Sequence, residues 1–297
     1  MRKQLLPFFA GSLLAGSVPA QVKNDYPIQP VAFNQVHVMD NFWSPRIKVN
    51  ADVTIPYVLE QCKKTGRIDN FLKAAGKIPT GDKLTSFTFD DTDLYKVIEG
   101  ASYSLQTKTD PQLQRYLDTL IAIIGDAQEA DGYLYTFRTA RVPQPHEWIG
   151  TKRWEKEEDL SHELYNAGHL YEAATAHYLA TGKKNFLNIA IKNADLLVKT
   201  FGWGKEEKFP GHQIVETGLV KLYRVTGKKE YLDLAKFFLD LRGKEGHLNH
   251  EYSQAHKKVI DQHQAVGHAV RATYMYSGMA DVAALTGNQQ YLHAIDD

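Results

Sequence analysis

Ala180-Thr181-Gly182-Lys183-Lys184-Asn185-Phe186-Leu187 returns downstream as Val225-Thr226-Gly227-Lys228-Lys229-Glu230-Tyr231-Leu232, and again as Leu285-Thr286-Gly287-Asn288-Gln289-Gln290-Tyr291-Leu292. A looser first copy runs from Thr107-Lys108-Thr109-Asp110-Pro111 to Leu113. In each full copy glycine suits the left-handed residue that ends one helix, and the aromatic–leucine pair anchors the next. The repeat is therefore the tight turn of a helical hairpin, and its recurrence makes the chain a stack of hairpins.

The flanks keep a helical period. Helices are predicted at 92–106, 112–130, 160–180, 184–201, 213–225, 230–241 and 265–285, with another starting at 290. A moderate helix at 52–65 carries Pro56 in its first turn, where proline is tolerated, and 76–85 reads as loop. Residues 41–46 read as an aromatic turn and 36–38 as a short strand. No alternating strand interrupts the later series, so the class is all-α.

Each first helix of a pair opens on a polar cluster. These are Asp90-Asp91-Thr92-Asp93, Ser161-His162-Glu163, Gly211-His212-Gln213 and Gln264-Ala265-Val266-Gly267-His268. The second helices, such as 184–199 and 230–242, mix charge with one apolar stripe, as outer helices do. Long loops at 133–158, 202–211 and 243–264 precede the first helices, and long loops gather where function is. The polar starts should converge on one mouth, which favours a closed α/α toroid over an open solenoid. About four hairpins can be counted where a sixfold toroid needs six, so the expectation is an incomplete (α/α)6 toroid cut inside an outer helix at 297.

Composition narrows the function. At 297 residues, 43% hydrophobic and 24% charged, the chain can bury a large core and is neither disordered nor membrane-like. Lys plus Arg and Asp plus Glu are both 35, so no basic excess points to nucleic acid. Arg2 and Lys3, an apolar run from Leu5 to Gly16 and Val18-Pro19-Ala20 form the pattern of a secretory signal peptide over 1–20, too short to span a membrane. That implies a periplasmic or secreted protein, with 21–35 an extended leader and 36–297 one partial catalytic domain. Cys62 is the only cysteine, so no internal disulfide can form.

Three histidines, His162, His212 and His268, hold equivalent places at the starts of successive first helices. Each imidazole offers one donor and one acceptor, so a ring of them suits a hydroxyl-rich ligand. A zincin site does not fit, because the position that should follow His162-Glu163 with histidine is Asn166, and His169 comes three residues too late. His263 and His268 do not share a helix face. Glycoside hydrolysis needs paired carboxylates or another nucleophile, but Asp90, Asp91, Asp93, Glu163 and Glu216 stand at helix starts where capping explains them equally well. Phe89 and Trp148 are candidate sugar-stacking platforms, whereas Trp43 is expected in the core.

Together these motifs resemble glycoside hydrolase family 127, with family 146 close by. The residues that carry the resemblance are Asn41-Phe42-Trp43-Ser44-Pro45-Arg46, Phe89-Asp90-Asp91-Thr92-Asp93-Leu94-Tyr95-Lys96, Asp131-Gly132-Tyr133-Leu134, Ser161-His162-Glu163-Leu164-Tyr165-Asn166-Ala167-Gly168-His169, Gly211-His212-Gln213-Ile214-Val215-Glu216 and Asp261-Gln262-His263-Gln264-Ala265-Val266-Gly267-His268-Ala269-Val270-Arg271. The resemblance implies an (α/α)6 barrel followed by β-sandwich domains, and removal of terminal β-L-arabinofuranose from arabinose-containing plant glycans. It also implies that Phe89, His162, His212 and His268 line the sugar pocket. It further implies retention of configuration through a zinc-bound cysteine thiolate and a glutamate acid/base, in motifs beyond Asp297. Cys62 lies outside any such motif, so the expectation for this chain is half a pocket, no catalytic residue and no zinc ligand. The alternatives are another terminal glycosidase of the same fold, or a non-catalytic sugar-binding toroid. An open toroid would expose apolar helix faces, so aggregation or association is expected.

Overall fold

The hairpin turns dictate the architecture. In the computed structural model, which describes residues 24–32 and 35–297, Gly182, Gly227 and Gly287 adopt φ of 71°, 73° and 73° directly after a helix. The threonine before each glycine donates its hydroxyl to the carbonyl four residues back at 2.6 Å, from Thr181, Thr226 and Thr286. Phe186, Tyr231 and Tyr291 then plunge into the core with no exposure. The looser copy has no glycine. There Asp110 caps the next helix by accepting the N–H groups of Gln112 and Leu113, both at 3.0 Å.

Four hairpins result: α4 (Asp91–Thr107) with α5 (Pro111–Asp126), α7 (Glu163–Thr181) with α8 (Asn185–Thr200), α9 (Val215–Thr226) with α10 (Lys229–Leu241), and α11 (Ala269–Thr286) with α12 (Gln289–Asp296). A further pair, α2 (Ile55–Lys64) and α3 (Arg67–Ala74), packs on α4 and α5. The first helices pack in order, α4 on α7, α7 on α9 and α9 on α11, while α5, α8 and α10 form the layer behind. This is an arc of an α/α toroid. The core fills the space between layers, with Leu94, Ile98, Leu120, Leu170, Leu197 and Phe238 all at or near zero exposure. α7 and α9 touch through glycine: a Cβ on Gly218 would lie 2.7 Å from the Gly168 carbonyl oxygen.

Several expectations change. Residues 36–38 are coil, and Val36 and Val38 remain 48% and 40% exposed with no strand to pair against among the described residues. The expected aromatic turn at 41–46 runs on as helix α1 (Trp43–Val49), because Asp40 accepts the N–H groups of Phe42 and Trp43. A π-helical turn, Asn50–Thr54, joins it to α2. Trp43 is 59% exposed, not core. α3, missed in sequence, is eight residues long and follows Gly66 at φ 80°. α6 (Thr136–Thr139) interrupts the long loop. The expected signal peptide lies outside the described residues. Among those described, no helix is long and apolar enough to cross a membrane.

The inner helices also start later than periodicity suggests. α7, α9 and α11 begin at Glu163, Val215 and Ala269 rather than 160, 213 and 265. The chain before each is forced out of the helical region: His162 has φ 64°, Ile214 142° and Gly267 71°. Non-glycine residues with positive φ cost roughly 1–3 kcal/mol and persist where surrounding bonds hold them. His162 is held by its own carbonyl, which accepts both the backbone and side-chain N–H of Asn166 at 2.9 and 2.7 Å. The histidines therefore stand ahead of their helices, not in the first turn. The Ser161 hydroxyl goes to Glu157 and Glu163.

Candidate functional site

Those strained entries aim the histidines at one another. Phe89, His162, His212 and His268 all line a single cleft of about 200 Å³, together with Trp148, Leu160, Tyr165, Tyr252 and Arg271. Phe89 comes from the turn before α4, and the histidines from the entries to α7, α9 and α11. Trp148 and Tyr252 are delivered by the long loops 140–162 and 242–268. The loops thus meet the helix starts at the same mouth, as their lengths suggested.

The rings form a chain of contacts across the cleft. Phe89 meets His162 at 5.1 Å between centroids, His162 meets His212 at 6.2 Å, and His212 meets His268 at 5.7 Å. Tyr165 forms the floor, 4.4 Å from His212 and 5.7 Å from His162. Trp148 stands 6.0 Å from His162 on one side, and Tyr252 stands 5.4 Å from His268 on the other. Below the floor, part-buried Lys96 donates to the Tyr165 hydroxyl at 3.0 Å, and His169 packs edge-on against the Tyr165 ring at 4.7 Å.

Backbone partners decide the tautomers. Carbonyl oxygens only accept, so His162 Nδ1, bonded to the Leu160 carbonyl, carries a proton, as does His212 Nδ1, 2.9 Å from the Gln213 carbonyl. Their Nε2 atoms keep lone pairs. His268 is the reverse: its Nδ1 accepts the Arg271 N–H at 3.4 Å, which leaves the proton on Nε2. Burial holds His162 down to about 4 and His212 down to about 3, with the Arg271 cation adding to both, so both rings are neutral at pH 7. Arg271 is itself fixed, donating to the Gly211 carbonyl at 2.7 Å and lying 4.7 Å over the Tyr252 ring. The cleft therefore offers two bare imidazole acceptors, one imidazole donor, a guanidinium and an aromatic wall.

The acidic candidates are occupied elsewhere. Buried Asp91 accepts the backbone N–H and the hydroxyl of Thr136 at 2.9 and 2.5 Å, and burial pushes it up to about 7. Asp90 and Asp93 pair with Arg67 at 3.4 and 3.1 Å. Glu163 accepts from the Tyr133 hydroxyl at 2.5 Å and from the Trp154 N–H at 3.0 Å. With Glu157 it shares Ser161 as a donor, and burial raises both carboxyls. Glu216 reaches back to the Ile214 N–H at 3.2 Å, in the manner of a cap. Cys62 is buried on α2, its thiol pushed up to about 11 by desolvation. Trp43 lies on a separate groove with Arg46, Ile47 and Tyr103. Exposed His263 pairs with Asp297 at 2.6 Å.

Sequence reasoning missed Tyr165, Tyr252 and Arg271. Two of them carried a signal: Tyr165 and Arg271 each follow a cleft histidine by three positions, one helical step on. Tyr252 had none, because a loop places it.

With this geometry in hand, the similarities to known proteins are informative. Residues 35–297 match the family model of the β-L-arabinofuranosidase GH127 catalytic domain. A non-reducing end β-L-arabinofuranosidase from Bifidobacterium longum subsp. longum is 35% identical over 248 residues, which cover 76% of this chain and 37% of that protein. Among solved structures, a GH127 β-arabinofuranosidase superposes with a TM-score of 0.87 at 57% identity, over 92% of this chain and 43% of its own. A GH127 β-L-arabinofuranosidase from Geobacillus stearothermophilus T6 superposes with a TM-score of 0.81 at 38% identity, over 88% and 44% respectively. The chain thus spans less than half the length of each of these relatives.

Proposed function

Because the chain belongs to the GH127 β-L-arabinofuranosidase catalytic-domain family, we propose that its cleft binds a terminal β-L-arabinofuranose of an arabinose-containing plant glycan, as part of a retaining, exo-acting glycoside hydrolase. The observation that carries this reading is the ring of three imidazoles fixed in two opposite tautomers beside an aromatic wall. A furanose presents hydroxyls that both donate and accept. His162 and His212 accept hydrogen bonds from sugar hydroxyls on Nε2, while His268 Nε2–H and Arg271 donate hydrogen bonds to hydroxyl oxygens. Phe89 and Trp148 pack the apolar C–H face. All of these groups are set before the sugar arrives, so little ordering opposes binding.

The bond-breaking groups belong elsewhere in our reading. The described lining residues include no carboxylate and no thiol. The zinc that the family resemblance implies does not fit them either: among the described residues no three of His, Cys, Asp or Glu gather closely enough to hold a metal ion. We propose that these lining residues hold the sugar and supply none of the thiolate nucleophile, glutamate acid/base or zinc ligands that the resemblance implies. The chain then binds sugar without turnover. The signal-peptide pattern supports a periplasmic or secreted location.

Incubating the 297-residue chain with p-nitrophenyl β-L-arabinofuranoside, zinc and reductant should release no nitrophenol, and turnover would contradict the assignment. The same chain should bind methyl β-L-arabinofuranoside, and His212→Ala should weaken that binding about tenfold with helical circular dichroism retained. Equal affinity in the variant would remove His212 from the sugar site.

A further inference from the structure

Phe87 lies just outside the cleft and remains 45% exposed. Its ring is nevertheless parallel to that of the lining residue Phe89, with centroids 5.1 Å and planes 5° apart, and 6.4 Å from Trp148. The three rings make a ledge that starts inside the cleft and continues past its lip. The parallel stacking of Phe87 on a cleft ring continues the aromatic wall of the cleft onto the surface, where a ligand can meet it.

The ledge is rigid. Phe87 donates its N–H to Asp90 Oδ2 at 3.1 Å, and its carbonyl accepts the Asp90 N–H at 3.0 Å. Asp90 is in turn paired with Arg67. Between the two phenylalanines, Thr88 is fully buried. Its hydroxyl donates to the Leu160 carbonyl at 3.3 Å, and its own carbonyl accepts from Asn166 Nδ2 at 3.0 Å. A ring carried on an anchored backbone loses less freedom when a ligand lies on it. The cleft itself, about 200 Å³, is smaller than the ~300 Å³ at which pockets for drug-sized ligands begin. It has room for one sugar ring, so the next ring of a glycan must run out over the lip.

We propose that Phe87, stacked on the cleft ring of Phe89 and beside that of Trp148, is the platform for the second sugar, the residue to which the bound arabinofuranose is linked. This rests on the arabinofuranose reading of the cleft. The second ring lays its C–H face on the exposed phenyl while its hydroxyls stay in water. The platform therefore selects glycosides whose aglycone is another sugar over those with a small alkyl group, without demanding one hydroxyl pattern.

Calorimetric titration of the 297-residue chain with methyl β-L-arabinofuranoside and with a β-L-arabinofuranosyl disaccharide tests the platform. The disaccharide should bind about fivefold more tightly than the methyl glycoside. Phe87→Ala should abolish that advantage while changing methyl glycoside affinity by less than about twofold, and Phe87→Trp should keep the advantage. If Phe87→Ala weakens neither ligand, or both alike, the platform is overturned and the cleft stands. If neither ligand binds the unaltered chain, the arabinofuranose reading falls, and the platform with it. Phe87 is exposed, so retained helical circular dichroism should accompany every variant.

Discussion

His177 on α7 has no exposure, and neither of its ring nitrogens finds a hydrogen-bond partner among the described residues. Desolvation pulls its pKa to about 4, so it is folded away neutral. Between pH 4 and 6.5 the unfolded chain binds a proton there that the native chain does not, and stability contributed at this site is lost as pH falls through that window. His177→Leu removes both the unpaired polar atoms and the acid penalty. It should stabilise the chain by about 1–2 kcal/mol at pH 7.5 in urea titrations, and by more at pH 5. A gap that does not widen on acidification would contradict this. The same neutrality reads differently at the cleft, where His162 and His212 gain backbone carbonyl partners and keep a lone pair free. The identity of the cleft histidines was legible in the sequence, because three of them recur at one register. Their tautomers were not, since these depend on the Leu160 and Gln213 carbonyls, which lie in non-helical chain just before the positive-φ residues His162 and Ile214.

At the level of elements, the Thr-Gly turns could be read directly because their chemistry is local: glycine at positive φ and a threonine hydroxyl on the preceding turn. The ties between turns were hidden. Asp118 on α5 pairs with Lys183, Asp195 on α8 accepts from Lys228 and Tyr231, and Asp240 on α10 accepts from Tyr291. Each outer helix thus pins the turn of the next hairpin, through residues too far apart in sequence for a periodic pattern to reveal. The close approach of α7 and α9 was equally hidden, since glycine inside a helix has no single meaning until its neighbour is known. A methyl group on Gly218 meets the Gly168 carbonyl oxygen, which belongs to rigid backbone, at 2.7 Å. Despite the better helix propensity of alanine, Gly218→Ala should destabilise the chain by about 1–3 kcal/mol in denaturant titrations. Alanine at Gly100 of α4, where an added methyl would meet nothing within 4 Å, should be neutral or stabilising. Equal effects at the two glycines would mean that the inner helices do not touch as described.

Across the whole molecule, the segment before the helices closes the end opposite the cleft. Asp25 forms a two-pronged pair with Arg224 of α9 at 2.9 and 2.7 Å, and the Tyr26 hydroxyl donates to Asp281 of α11 at 2.9 Å. The expected leader is therefore a strap that joins two inner helices, a role that composition could not disclose. The all-α toroidal class was legible from one repeated turn, and the position of the mouth from loop length. The aromatic ledge was only half legible, because Phe87 gains meaning only once Phe89 and Trp148 stand beside it. In the proposed function, three imidazoles in two opposite tautomers at this mouth hold the sugar. Nitrogen-detected NMR of the histidine rings, with and without methyl β-L-arabinofuranoside, tests it most directly. The spectra should show Nδ1–H tautomers for His162 and His212, an Nε2–H tautomer for His268, and sugar-induced shifts at these three rings while His177 and His263 stay unmoved. Shifts confined to other histidines, or none at saturating sugar, would contradict it.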